Sequence, residues 1–315
     1  AGGQAVLMAP TEILARQHLE TITKFTSNTD ISVLLLTGKM KAAERREALE
    51  RIESGAADIV IGTHALFQDN VNYANLLLAV VDEQHRFGVH QRLRLTAKGL
   101  SPHMLVMTAT PIPRTLVLAA FGDMDVSKLT EKPAGRKPIQ TAVIPMERLG
   151  DIVERLRAAT AEGKKAYWIC PLVEESDVSD LMSAEERHAL LTKSLRQQIG
   201  LVHGRMTAAE KDEAMTRFKN GETRLLVATT VIEVGVDVPD ATIMVIEHAE
   251  RFGLAQLHQL RGRVGRGDEA STCLLLYKGP LSENGRARLN IMRETEDGFL
   301  IAEEDLKLRG EGELL

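Results

Sequence analysis

The chain has 315 residues, enough for two domains of ordinary size, and its 44% hydrophobic content marks a folded protein. Lys plus Arg number 39 against 44 Asp plus Glu, a net charge of −5, which excludes a bulk positive field and leaves any nucleic-acid contact to local basic or hydroxyl-rich strips. No apolar run approaches the roughly 18 residues that span a bilayer, and the only two cysteines, Cys170 and Cys273, sit in apolar strand-like runs, which predicts buried thiols in a reducing, cytoplasmic setting.

Along the chain, Ala1-Gly2-Gly3-Gln4 lacks a basic leader and is expected to be an internal point of a longer protein. From there β-rich runs alternate with helical patterns: Ala5 to Met8, Val33 to Leu36, Asp58 to Ile61, Leu76 to Val81 and Met104 to Met107. That alternation predicts a parallel sheet flanked by helices. Pro133, Gly135 and Pro138 interrupt it, and it resumes at Ala166 to Ile169, Leu201-Val202, Leu225 to Val227, Ile243 to Ile246 and Cys273 to Tyr277. The predicted division is a first lobe over 1–130, a linker over 131–145, a second lobe over 146–280 and a helical hairpin over 281–315. Within the second lobe, Glu174 to Arg187 is acidic and polar and reads as a solvated loop with a short helix and no chemistry.

The lobes resemble each other. Laying the segment that starts at Thr37 over a later one pairs Gly38 with Gly204, Met40 with Met206, Ala42-Ala43-Glu44 with Ala208-Ala209-Glu210, Arg51 with Arg217, Gly55 with Gly221 and Thr63 with Thr229. A helix, a glycine, an apolar strand and a terminal threonine recur in register, which predicts a duplicated α/β unit.

A parallel sheet of this kind collects its chemistry at the carboxyl ends of its strands. The first run ends in Ala9-Pro10-Thr11, where Thr11 caps a helix whose start can hold a backbone phosphate. His18 reads as a packed residue on that helix. Leu76 to Val81 ends in Asp82-Glu83-Gln84-His85, and adjacent carboxylates there can place one near a magnesium ion and the next near an attacking water. The GxxxxGK[ST] loop that such a site needs for the phosphates is absent from the sequence, since Gly38-Lys39-Met40 lacks both the upstream glycine and the hydroxyl. Thr108-Ala109-Thr110 follows the next strand. In the second lobe Thr229-Thr230 leads to Gly235 and Asp237, where Asp237 is placed to meet a ribose hydroxyl or an arginine. Gln259-Leu260-Arg261-Gly262-Arg263-Val264-Gly265-Arg266 gathers three guanidinium groups that repel one another unless an anion lies between them.

Taken in order, these motifs resemble helicase superfamily two, across almost the whole chain. Within it, Asp82 to Val89, Ala109 to Thr115, Leu254 to Gln259 and the ending Asp297 to Gly310 resemble the RecG-like family, with the Mfd-like family as the second match; Gln84 and His90-Gln91-Arg92 favour the first. The resemblance implies two tandem RecA-like parallel-sheet lobes and a hairpin used in translocation. It also implies an ATP- and Mg²⁺-dependent motor, monomeric, acting on double-stranded and branched DNA. Carried over position by position, Glu83 activates water, Asp82 holds Mg²⁺ through its shell, and Arg263 and Arg266 stabilise the transferring phosphoryl. Gln84, His85, Thr108, Thr110, Gly235, Asp237 and Gln259 couple nucleotide state to closure. Thr11, Thr63, His203, Thr229 and Arg309 face DNA. The low aromatic content, 3%, fits a duplex tracker, because single-strand trackers stack bases on aromatic platforms. Against the family pattern the sequence lacks the upstream branch-binding wedge and the phosphate loop, so no ATP turnover is expected of the chain alone. A third reading, a short non-hydrolysing DNA- or partner-binding protein, stays open on sequence grounds.

Overall fold

The structure, a computed structural model, describes residues 2–83, 98–99, 101–109, 125–131, 135–171, 177–229 and 238–309. They divide into two compact units, Ala1–Ala109 and Thr110–Leu315.

Unit one is a five-stranded, wholly parallel sheet built from β1 (Gln4–Met8), β2 (Val33–Leu36), β3 (Ile59–Gly62), β4 (Leu76–Val81) and β5 (His103–Val106), in the order β2-β3-β1-β4-β5. Helix α1 (Glu12–Thr26) begins where the Thr11 hydroxyl accepts the Leu14 amide at 3.3 Å, satisfying one of the first-turn donors. It packs Ala15 beside Ala9 and Ile61 on one sheet face. Helix α2 (Ala42–Glu53) sets Ala48 and Ile52 against Val6, Met8, Val60 and Val81 on the other. Among the described residues β5 is the terminal strand, and its Leu105 is 51% exposed.

Unit two is a six-stranded parallel sheet of β6 (Ile139–Pro145), β7 (Lys165–Ile169), β8 (Gly200–Val202), β9 (Leu225–Ala228), β10 (Ala241–Ile246) and β11 (Ser271–Tyr277), ordered β6-β11-β10-β7-β9-β8. One face buries Trp168, Val227 and Val245 against α3 (Leu149–Ala161) and α4 (Asp177–Leu195). The opposite face buries Met244, Ile246 and Cys273 against α5 (Ala208–Lys219), α6 (Leu254–Arg261), α7 (Glu283–Glu294) and α8 (Gly298–Arg309). α7 and α8 follow one another through Thr295 to Asp297. Cys170 and Cys273 are both free and buried, and burial pushes the Cys273 thiol up to about 12.

The strand order repeats. β2-β3-β1-β4-β5 and β8-β9-β7-β10-β11 are the same arrangement in chain-order terms, with β6 added outside β11. β6 falls inside the expected linker 131–145, so the second sheet starts at Ile139, earlier than the sequence pattern indicated. α4 corrects a second expectation: the acidic segment that read as a loop with a short helix enters a helix of 19 residues.

Candidate functional site

β4 is flanked by β1 and β5 and delivers Asp82 at its carboxyl end, where the Asp82 amide donates to Met8 O at 2.9 Å. Both oxygens of the Asp82 carboxylate are engaged. Oδ1 accepts the Glu83 amide at 2.9 Å, and Oδ2 accepts from His18 Nε2 at 2.8 Å. A carboxylate only accepts, so His18 Nε2 is the protonated nitrogen in this contact. His18 is therefore not simply a packing residue; it reaches from α1 to the strand end. Glu83 itself is left-handed, φ 51°, a conformation that costs a non-glycine residue of order 1 kcal/mol and clusters at functional sites.

Further along the carboxyl edge of the same sheet lie the other strand ends of unit one. Thr63 follows β3 and is buried. Thr37 follows β2, also buried, with its hydroxyl donating to Glu12 Oε1 at 3.4 Å. Thr108 follows β5, whose ladder continues as Met107 N donates to Val81 O at 2.8 Å. Thr11 is occupied as the cap of α1.

In unit two, β8 and β9 pair Val202 with Ala228, which brings His203 and Thr229 side by side at the carboxyl end. His203 Nδ1 and Thr229 Oγ1 are buried and find no hydrogen-bond partner among the described residues. Burial holds the His203 pKa below the ordinary histidine value. Two orphaned polar atoms at adjacent strand ends are costly, on the order of 1–3 kcal/mol each, and a bound oxygen-rich ligand would satisfy them.

The arginine-rich segment behaves differently from the sequence expectation of three groups around one anion. Arg261 is turned into the unit, only 2% exposed, donating to Met292 O at 2.6 Å and Thr295 O at 2.9 Å, so it closes the carboxyl end of α7. Arg266 is exposed and its Nε donates to Gly262 O at 3.2 Å; Arg263 is half-buried and Gln259 lies on α6. Arg309 ends the described part of α8, its side chain outside the described residues, as are Gln84, His85, Thr110, Gly235 and Asp237.

One pair was not anticipated. Glu247 follows β10 as Asp82 follows β4, and its amide donates to Ile169 O at 2.9 Å, matching the Asp82–Met8 bond. The next residue is again left-handed, His248 at φ 48°. The Glu247 carboxylate is buried and held by Arg187 of α4 (Nε–Oε1 2.5 Å, Nη2–Oε2 3.0 Å) and by the Trp168 indole N–H. Its sequence signal is an acid directly after an apolar run, the same signal that marks Asp82. The partner lay in the segment assigned no chemistry.

No group of three or more His, Cys, Asp or Glu that could hold a metal exists among the described residues. Asp82 nonetheless suits magnesium, a hard cation that takes one or two carboxylate ligands and completes its shell with phosphate oxygens and water. Among the described residues, no helix is long and apolar enough to cross a membrane.

Comparison with known families places the two units separately. The family described as DEAD/DEAH box helicase matches residues 1–118, and the helicase conserved C-terminal domain matches residues 146–268. The chain is 53% identical over 320 residues to the ATP-dependent DNA helicase RecG of Haemophilus influenzae, all of this chain aligning with 46% of that protein. It is 54% identical over 316 residues to the protein of the same name from Streptococcus pneumoniae, 47% of which is covered. The chain thus spans about half the length of these relatives. A solved structure of RecG bound to a three-way DNA junction superimposes with a TM-score of 0.81 at 45% identity, over 99% of this chain and 41% of that one. Saccharomyces cerevisiae Dbp5 bound to RNA and ADP BeF3 shares the fold, with a TM-score of 0.68 at 16% identity, over 98% of this chain and 82% of that one.

Proposed function

Because the chain belongs to the RecG family of DNA helicases, a member of helicase superfamily two, we propose that it is the motor region of an ATP-dependent translocase that moves on duplex DNA and remodels branched DNA. What carries the reading is the Asp82–Glu83 pair at a parallel-strand end, with the Asp82 carboxylate fixed by the Glu83 amide and His18.

Bound Mg²⁺-ATP supplies the phosphoryl group and the charge that neutralises it. Asp82 is the residue that would hold Mg²⁺ through its water shell. Glu83 accepts a proton from the attacking water, its left-handed backbone turning the side chain away from the direction the strand would give it. Arg263 and Arg266 meet the charge that develops on the transferring group. Thr108, Gln84, His85, Thr110, Gly235, Asp237 and Gln259 link nucleotide state to closure.

Hydroxyls and the His203 ring grip phosphates without reading bases, which suits a motor that must move on any sequence. The unsatisfied His203 Nδ1 and Thr229 Oγ1 support that role in unit two; Thr11 and Thr63 take it in unit one, and Arg309 extends it along the hairpin.

The test uses the full-length protein that contains this chain. Glu83→Gln is expected to lower DNA-stimulated ATP turnover by about 10²–10⁴, and Arg266→Ala by about 10³ or more, with DNA affinity nearly unchanged in both. Turnover that survives Glu83→Gln removes the general base from this position, and an equal loss of turnover and DNA affinity in Arg266→Ala removes the arginine finger. The chain alone is expected to show no DNA-stimulated turnover.

A further inference from the structure

The two units place a carboxylate at the same point of the same sheet, and treat it in opposite ways. In each, an acid follows the strand, its amide completes a bond to the neighbouring strand, and the next residue is left-handed: Asp82 and Glu83 in one, Glu247 and His248 in the other. In each, a basic side chain reaches the carboxylate from the helix that crosses over after the neighbouring strand: His18 from α1, which follows β1, and Arg187 from α4, which follows β7. The duplicated topology makes His18 and Arg187 counterparts.

Their chemistry differs. Arg187 meets both oxygens of Glu247 in a two-pronged pair, and the Trp168 indole adds a third donor. A guanidinium is always charged, so it cancels the carboxylate and leaves nothing to attract another cation. The Glu247 side chain is 6% exposed. At Asp82, by contrast, one imidazole N–H takes one lone pair of Oδ2 and one amide takes one of Oδ1, out of about four lone-pair sites on an ionised carboxylate. An imidazole donates this bond without carrying a permanent charge. The Asp82 side chain stays 20% exposed.

We infer that His18 is the positioning residue of the first unit's carboxylate, fixing the orientation of Asp82 while leaving its charge available to a metal ion, and that Arg187 is the permanent cation that closes the equivalent position in the second unit. This rests on the reading of Asp82 as a metal-shell carboxylate. It also ties α1, whose first turn is capped by the DNA-facing Thr11, to the nucleotide end of β4. Orientation is the benefit: outer-shell partners of this kind are worth about 10–100-fold in metal affinity.

The experiment measures the Mn²⁺ requirement of the full-length protein in two ways, by electron paramagnetic resonance of Mn²⁺ binding with a non-hydrolysable ATP analogue, and by ATP turnover against metal concentration. His18→Arg installs the second unit's solution in the first and is expected to raise the half-saturating Mn²⁺ by about 10-fold or more, with DNA affinity and melting temperature not lowered. His18→Gln, whose amide donates the same bond without charge, is expected to stay within about threefold of the native protein. His18→Lys serves as the second cationic variant should the arginine fail to fold. A native Mn²⁺ requirement in the cationic variant, or a glutamine variant as impaired as the cationic one, overturns the proposal. Asp82→Asn separates the two levels: an unchanged metal requirement there brings down the metal-shell reading itself, whereas a raised one alongside a normal cationic variant brings down only the role of His18.

Discussion

Glu247 depends on Arg187 in a way that Asp82 does not depend on any cation within the described residues. Removing one member of a buried pair leaves an uncompensated charge, so Arg187→Ala is expected to destabilise the second unit by about 3–5 kcal/mol, read by urea denaturation followed at Trp168. A loss below about 1 kcal/mol, the value of a surface pair, shows that solvent reaches the carboxylate. Asp82 was legible in the sequence, because an apolar run that stops at an acid needs no tertiary information; Glu247 carries the same signal after Ile246 and was not read from it. Their partners were not legible. His18 lies on a helix stripe among apolar residues and Arg187 in an acidic stretch, and only the crossover connection decides that each meets a strand end. Arg261 shows the same limit: the spacing of Arg261, Arg263 and Arg266 reports charges but not directions, and burial of Arg261 against the α7 carbonyls removes it from any shared anion site.

At the level of elements, the strands that sequence pattern located are those with continuous apolar runs, such as β9 and β10, whose burial comes from neighbours on both sides. β6 escaped because Gln140 and Thr141 break its apolar run. Its residues are only partly buried, and Pro138 before it and Pro145 at its end are the punctuation of a linker as much as of an edge strand. α4 escaped because its early turns carry acids and polar residues. The pair of helices α7 and α8 was readable, since Ser282 caps the first helix through the Gly285 amide and Asp297 side-chain bonds to the Phe299 and Leu300 amides start the second. Its attachment was not readable, because Arg261 and the bond from the Ile139 amide to Glu296 Oε1 connect segments far apart in sequence.

On the scale of the whole molecule the units are unequally built. Among the described residues unit two has six strands, with α3 and α4 on one face and α5 to α8 on the other. Unit one has five strands with α1 and α2 over them among the described residues, and leaves Leu77, Leu78 and Leu105 exposed. Amide exchange is expected to be slower in the central strands of unit two than in those of unit one, and the reverse ranking would overturn this assessment. The position beside β11 that β6 fills has no occupant beside β5 among the described residues. The backbone amides and carbonyls along β5 form a hydrogen-bonding template with an apolar side chain at its centre, and a second chain offering the same edge can join it into a continuous intermolecular sheet. Light scattering that climbs with protein concentration is the expected signature of such pairing, and scattering that stays flat counts against it.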